Sequence, residues 1–179
     1  MGKKKEPPKT DFQNCGFKLT CKQNNTQSHT ILKHKFYPYR ASEDALSFTF
    51  KSISEERVVP KKAEFTVMSE NVYNFAFGDL DDKGEIDDLA ITNNKDTHLV
   101  FATVIQILLD FLDNNESKLV YFKGSTPART RMYQIILRKE KANWKDRLIV
   151  YGIKNDDTIP FKTDCKFDAF ICKTKQKVK

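Results

Sequence analysis

The stretch from Thr97 to Asp113 constrains this chain more than any other. Val100, Val104, Leu108 and Phe111 recur at helical spacing, and Phe101, Ile105, Leu109 and Leu112 widen the same side. A helix with so broad an apolar surface leaves little of itself for water, so the rest of the chain has to cover it. Asp96 stands where an N-cap belongs. The stretch is not a membrane span: Thr103, Gln106 and Asp110 interrupt Leu99 to Leu112. No apolar run approaches the roughly 18 residues that crossing a bilayer requires.

The cover comes from strands. Ile31 to Tyr39, Leu46 to Ile53, Glu64 to Met68 and Asn71 to Phe77 read as short strands, with Ser69-Glu70-Asn71 as a turn. In the last of these, Val72, Phe75 and Phe77 do not alternate perfectly. Ile86 to Thr92 is a further candidate. After the long helix, Leu119 to Phe122 is a short strand ended by Gly124. Ser125 or Thr126 then caps a second helix with Pro127 at its first position, where a missing N–H is harmless. Met132, Ile135 and Ile136 form that helix's core face, and Leu148 to Ile153 and Phe167 to Cys172 close the chain as strands. The pattern predicts an α+β fold, a mostly antiparallel sheet with two helices packed on one face.

The charge of the 179-residue chain, +7 from 31 Lys+Arg against 24 Asp+Glu, suggests affinity for polyanions until it is located. Lys3, Lys4, Lys5 and Lys9 against Glu6 give +3, and Lys173, Lys175, Lys177 and Lys179 give +4. Residues 10–172 therefore sum to zero. The expected organisation is a flexible polar arm over 1–28, with one short candidate strand near Phe17 to Cys21, a single domain over 29–173 and a Lys-rich tail over 174–179. Tail lysines would add salt-sensitive, non-specific binding that truncation removes without harming the fold. At 39% hydrophobic and 12% aromatic, the body is rich enough to build a core, which excludes intrinsic disorder. Met-Gly-Lys-Lys-Lys followed by Glu-Pro-Pro carries no apolar stretch of a secretory signal. Gly2 lacks the Ser or Thr that myristoylation prefers, since Glu6 occupies its place.

Cys15, Cys21, Cys165 and Cys172 have five and six residues between the close pairs, wider than zinc motifs use. His29 and His34 would complete a ligand set with Cys15 and Cys21 only at irregular spacing. Reduced structural thiols in a cytoplasmic protein are the better reading. No Ser-His-Asp, Cys-His or His-Glu-x-x-His arrangement is present, and His98 is the one histidine in the second half.

Two segments carry chemistry. Gly124-Ser125-Thr126-Pro127-Ala128-Arg129-Thr130-Arg131-Met132-Tyr133 is a turn entering a helix. A helix N-terminus presents free N–H groups and a partial positive charge that favour an anion. Arg129 and Arg131 oppose that dipole unless they meet carboxylates or a phosphate, and Tyr133, four residues after Arg129, is placed to stack on a base or shield the guanidinium. Lys118 to Arg147 holds nine basic and two acidic residues. The alternative is an ordinary helix start whose arginines pair with acidic residues upstream. The turn lacks the Lys and glycine spacing of a P-loop.

The second segment runs from Phe77 to Asp88. Asp79, Asp81, Gly84 and Asp88 fall near calcium-loop positions, but Lys83 occupies a ligand position, so an acidic hairpin turn is the plainer reading. Asp87 or Asp88 would then reach Arg129 or Arg131 and join the two segments into one electrostatic unit. Asn93-Asn94-Lys95-Asp96 reads as turn plus N-cap, or as the polar rim of a cleft.

In this order, Tyr73 to Asp79, Ile86-Asp87-Asp88, Asn93 to Asp96, Ala102-Thr103-Val104 and Gly124 to Tyr133 resemble an uncharacterised family of short bacterial proteins. That family is chiefly from Bacteroidota and is classed as a domain of unknown function. Its block Gly-Ser-Thr-x-Ala-Arg-Thr-Arg-Leu-Tyr has Met132 at the Leu position here. The resemblance covers about residues 32–173, excludes the arm and the Cys15/Cys21 pair, and implies a bacterial cytoplasmic setting without an activity.

Three functions compete. The first is a binding protein holding a phosphate-bearing ligand, nucleotide or nucleic acid, at Gly124, Ser125, Thr126, Arg129, Arg131 and Tyr133. The second is a metal-dependent enzyme acting on nucleic acid, a toxin or defence component, with Asp79, Asp87 and Asp88 around a divalent ion beside the arginines. The third is a structural or protein-interaction module. No cofactor and no membrane partner is called for, and the oligomeric state stays open.

Overall fold

The computed structural model describes residues 36–87 and 94–175. Expectations for the arm, Cys15, Cys21, His29, His34, Asp88 and Asn93 fall outside these residues. The strands are β1 (Tyr39–Ala41), β2 (Ser47–Ile53), β3 (Val58–Ser69), β4 (Val72–Leu80), β5 (Ile86–Asp87), β6 (Leu119–Phe122), β7 (Leu148–Lys154), β8 (Asp157–Pro160) and β9 (Ala169–Thr174). The helices are α1 (Thr97–Asn114), α2 (Pro127–Lys139) and α3 (Lys141–Trp144). The protein is α+β, with a nine-stranded sheet in the order β1-β2-β3-β4-β6-β9-β7-β8 and β5 added beside β4.

All pairings are antiparallel except β4 with β6, which are parallel. Parallel neighbours need a crossover, and the chain makes it through β5 and α1. That crossover is why α1 is so apolar. Eleven of its residues, Val100 to Ile105, Ile107 to Leu109, Phe111 and Leu112, are buried. Phe111 stacks on Phe65 of β3 with ring centroids 3.7 Å apart, and Tyr73 of β4 meets Phe111 edge-on.

The sheet has one dry face. Phe48, Phe50, Ala63, Phe65, Phe75, Phe77, Val120, Phe122, Val150 and Cys172 lie on it, under the helices. The imperfect alternation at the start of β4 has a simple cause: Tyr73, Phe75 and Phe77 face the helices, while Val72 belongs to the opposite face. Several elements differ from the sequence reading. β3 begins at Val58 rather than Glu64, β8 is an additional strand, and a third helix of one turn follows α2. Trp144 on α3 justifies that turn: its indole N–H donates to the Leu137 carbonyl at 2.8 Å, and its ring meets Phe161 edge-on.

Candidate functional site

The Gly124 to Tyr133 block is a strand-to-helix corner. Thr126 is the N-cap: its Oγ accepts from the Arg129 N–H at 3.2 Å, and Pro127 is the first helical residue. Thr130 closes the corner from the other side, its Oγ accepting the Gly124 N–H at 3.1 Å and donating to the Thr126 carbonyl at 3.3 Å. A Cβ on Gly124 would stand closer than 3.0 Å to the Arg129 Cβ, the Arg129 carbonyl carbon and the Thr130 nitrogen. Glycine is required here by close approach.

These bonds consume most of what a helix N-terminus offers an anion. Pro127 has no N–H, Thr126 caps that of Arg129, and the N–H of Thr130 goes to the Thr126 carbonyl at 3.0 Å. Ala128 is left as the first-turn amide that no described residue uses. The Ser125 side chain is exposed.

The two arginines part company. Arg129 is half-buried, and its Nη2 lies 3.4 Å from the backbone carbonyl of Asp87. It fills a split in the sheet. One edge of β4 pairs with β6 at Val72–Asn74 and with β5 at Asp79–Leu80, and Arg129 sits between the two partners. Gly78 makes room, because a Cβ there would stand 2.7 Å from Ile86 Cγ2, 2.8 Å from the Asp87 oxygen and 3.3 Å from Arg129 Nη2. The acidic hairpin and the basic corner thus meet through Arg129, at the backbone carbonyl of Asp87. Arg131 does not take part: it is exposed and makes no hydrogen bond or ion pair with any described residue.

Tyr133 corrects an expectation. It is 6% exposed, and its ring lies edge-on to Phe77 and Phe122 at centroid distances of 5.5 and 5.4 Å. The core face of α2 is Thr130, Tyr133, Ile136 and Leu137, so the tyrosine belongs to the core and not to a solvent-facing stacking surface. Met132 and Ile135, expected in that face, are half-buried beside it.

The acidic segment is a hairpin turn between β4 and β5. Asp81 Oδ1 accepts the N–H groups of Lys83 at 2.9 Å and Glu85 at 2.8 Å, and Gly84 takes a positive φ of 83°. Asp79 is ion-paired to Lys61, its register partner on β3, and Asp87 is its register partner on β5. Among the described residues no three His, Cys, Asp or Glu side chains converge as a metal site would need.

Two buried polar groups lie outside the block: Lys61, which the sequence reading missed, and Asp96, which it took for a helix cap. Lys61 is 7% exposed on the dry face of β3, where a charge survives only with a partner such as Asp79. Its signal was present: Lys61 precedes Ala63 and Phe65 in the inward phase of an alternating strand. Asp96 occupies the N-cap position of α1 but makes no side-chain cap. Its Oδ2 instead accepts from the Tyr37 hydroxyl at 2.7 Å and the Ser52 hydroxyl at 2.6 Å, and Asn94 donates to Ser52 at 2.8 Å. Beside this network lies a shallow depression of about 350 Å³, which His98 also lines. His98 itself is exposed.

The outer surface of α2 and α3 is cationic. Arg131 and Arg138, two helical turns apart, share a face, and Lys139, Lys141 and Lys145 continue it. All five are exposed, whereas Glu140 is 4% exposed and takes a bond from Asn143 at 2.6 Å.

Fold and site together define an α+β protein with a one-sided helical layer, an arginine-plugged sheet split and a basic helix surface. The model of the family of unknown function DUF6934 matches residues 33–175, and the chain belongs to that family. No curated protein and no solved structure matches the chain. Among the described residues, no helix is long and apolar enough to cross a membrane.

Proposed function

We propose that the protein binds an extended phosphate-bearing polymer, nucleic acid above all, through the outer surface of α2 and α3. The supporting observation is the row of exposed cations Arg131, Arg138, Lys139, Lys141 and Lys145, set against two acidic neighbours, the buried Glu140 and the exposed Asp146. A convex basic surface suits a polyanion, which gains from several phosphate contacts at once. It suits a single nucleotide poorly, because the corner spends its own amides and hydroxyls internally. Ser125 and Arg131 are the members of the Gly124 to Tyr133 block that face such a ligand.

The test is affinity for a DNA duplex as a function of salt. Replacing Arg131 and Arg138 together by Ala should weaken binding across all sequences and reduce the slope of log K against log salt by about 2. A slope identical to that of the unmodified chain refutes the assignment. A second reading, in which the corner is structural, draws on Arg129: its guanidinium ends at a protein carbonyl.

A further inference from the structure

The face of the sheet turned away from the helices carries a different kind of surface. Register sets Tyr121 of β6 opposite Ile171 of β9, and Ile171 opposite Tyr151 of β7. The intervening residues Val120, Cys172 and Val150 are buried toward the helices, so the Tyr–Ile–Tyr row points the other way. Two strand spacings, about 10 Å, separate the tyrosines.

These tyrosines differ from the other four. Tyr37 and Tyr39 bond to Asp96 and Asp110, and Tyr73 and Tyr133 pack on core rings. Tyr121 and Tyr151 are half-buried, meet no other ring and have no hydrogen-bonded hydroxyl among the described residues. Lys123 follows Tyr121 on the same face, and Lys173 follows Ile171. Both lysines are exposed, and β6, β7 and β9 contain no Asp or Glu. The strand between the tyrosines leads into Lys175, Lys177 and Lys179.

We propose that this face binds single-stranded nucleic acid, with Tyr121 and Tyr151 stacking unpaired bases and Lys123 and Lys173 meeting the backbone. Half-buried tyrosines on a sheet face, flanked by exposed lysines on strands that carry no carboxylate, match unpaired bases and their phosphates. A duplex keeps its bases stacked within itself and cannot use the rings. A second copy of the chain would set Lys123 and Lys173 against the same lysines. The inference rests on the polyanion reading for its class of ligand and uses the opposite face of the molecule.

The experiment compares a labelled oligo-uridine with a DNA duplex by fluorescence anisotropy. Replacing Tyr121 and Tyr151 together by Leu should weaken oligo-uridine binding roughly 100-fold, and by Phe less than about threefold, because the ring carries the contact. Duplex binding should be unchanged in both. A Leu variant of unaltered melting temperature that binds oligo-uridine normally overturns the proposal, as does a Phe variant as weak as the Leu variant. A dimer in sedimentation that the Leu pair abolishes also overturns it, and identifies a protein interface. The Arg131/Arg138 pair run alongside separates the two readings: if it leaves duplex binding intact, the α2 surface fails alone.

Discussion

Replacing Gly124 by Ala tests whether the Gly124 to Tyr133 block is first a folding device. The added Cβ would lie closer than 3.0 Å to the Arg129 Cβ, the Arg129 carbonyl carbon and the Thr130 nitrogen. Two of these are backbone atoms in the first turn of α2, so no side-chain rotation relieves the overlap. Overpacking of this kind costs about 1–3 kcal/mol, and a rigid neighbour puts it in the upper part of that range. Moving the turn away instead breaks the 3.1 Å bond from the Gly124 N–H to Thr130, worth about 1 kcal/mol. The reduced entropy of the unfolded chain returns roughly 0.4–1 kcal/mol. The net expectation is about 2–3 kcal/mol of destabilisation, or roughly 5–10 °C in Tm for a chain of this size. Urea unfolding with an unchanged m-value measures it, and Ser125→Ala is the control, expected within about 0.5 kcal/mol of the parent. A Gly124→Ala chain whose Tm falls by less than about 2 °C refutes the close-approach argument.

The two arginines should separate in the same assay. Arg129→Ala should lose about 1–2 kcal/mol through its place in the sheet split, while Arg131→Ala should stay within about 0.5 kcal/mol; equal losses would contradict the division. At alkaline pH stability should fall. Burial pushes the Cys172 thiol above its ordinary range, and burial followed by the bond to Asp110 pushes the Tyr39 hydroxyl up. The unfolded chain therefore releases these protons first, and above about pH 9 it binds fewer protons than the native state, so ΔG of unfolding drops as pH rises. The urea midpoint should decline from about pH 8.5 to 10.5, less steeply in Tyr39→Phe; a flat or rising midpoint contradicts the sign.

Much of the fold was readable because local rules and tertiary packing agree. β6 spans Leu119–Phe122, and Thr126 with Pro127 starts α2, as capping chemistry dictates. The start of β3 was lost because Val58 to Lys62 mixes Pro and Lys into a strand, and its pairing with β2 is a tertiary fact. Pro60 is tolerated because the ladder with β4 begins at Lys61, so the missing N–H of Pro60 breaks no pairing with β4. Asp96 illustrates the limit for sites. Its position at the start of α1 was evident, but its partners Tyr37 and Ser52 lie 59 and 44 residues away, a distance no local pattern encodes. Tyr133 failed for a related reason: spacing puts it on one face with Arg129, and only packing decides that Phe77 and Phe122 claim the ring.

The most recognisable block of the sequence thus divides by direction rather than by residue type. Gly124, Thr126, Arg129, Thr130 and Tyr133 are used inward, as close approach, cap, plug, clip and core ring. Ser125, Ala128 and Arg131 are exposed between them. Nearby, Lys61 is paired with Asp79, and Arg129 donates to the Asp87 carbonyl, so the hairpin and the corner hold the sheet split closed as one unit. The Asp79 carboxylate, engaged by Lys61, is not available to the outer helix surface. Positive charge that the fold does not use is therefore displaced outward, onto Arg131, Arg138 and the lysines of α2 and α3. A net charge near zero over residues 10–172 is compatible with a polyanion surface because Arg131, Arg138, Lys139, Lys141 and Lys145 are exposed and outside the ion pairs of the described residues.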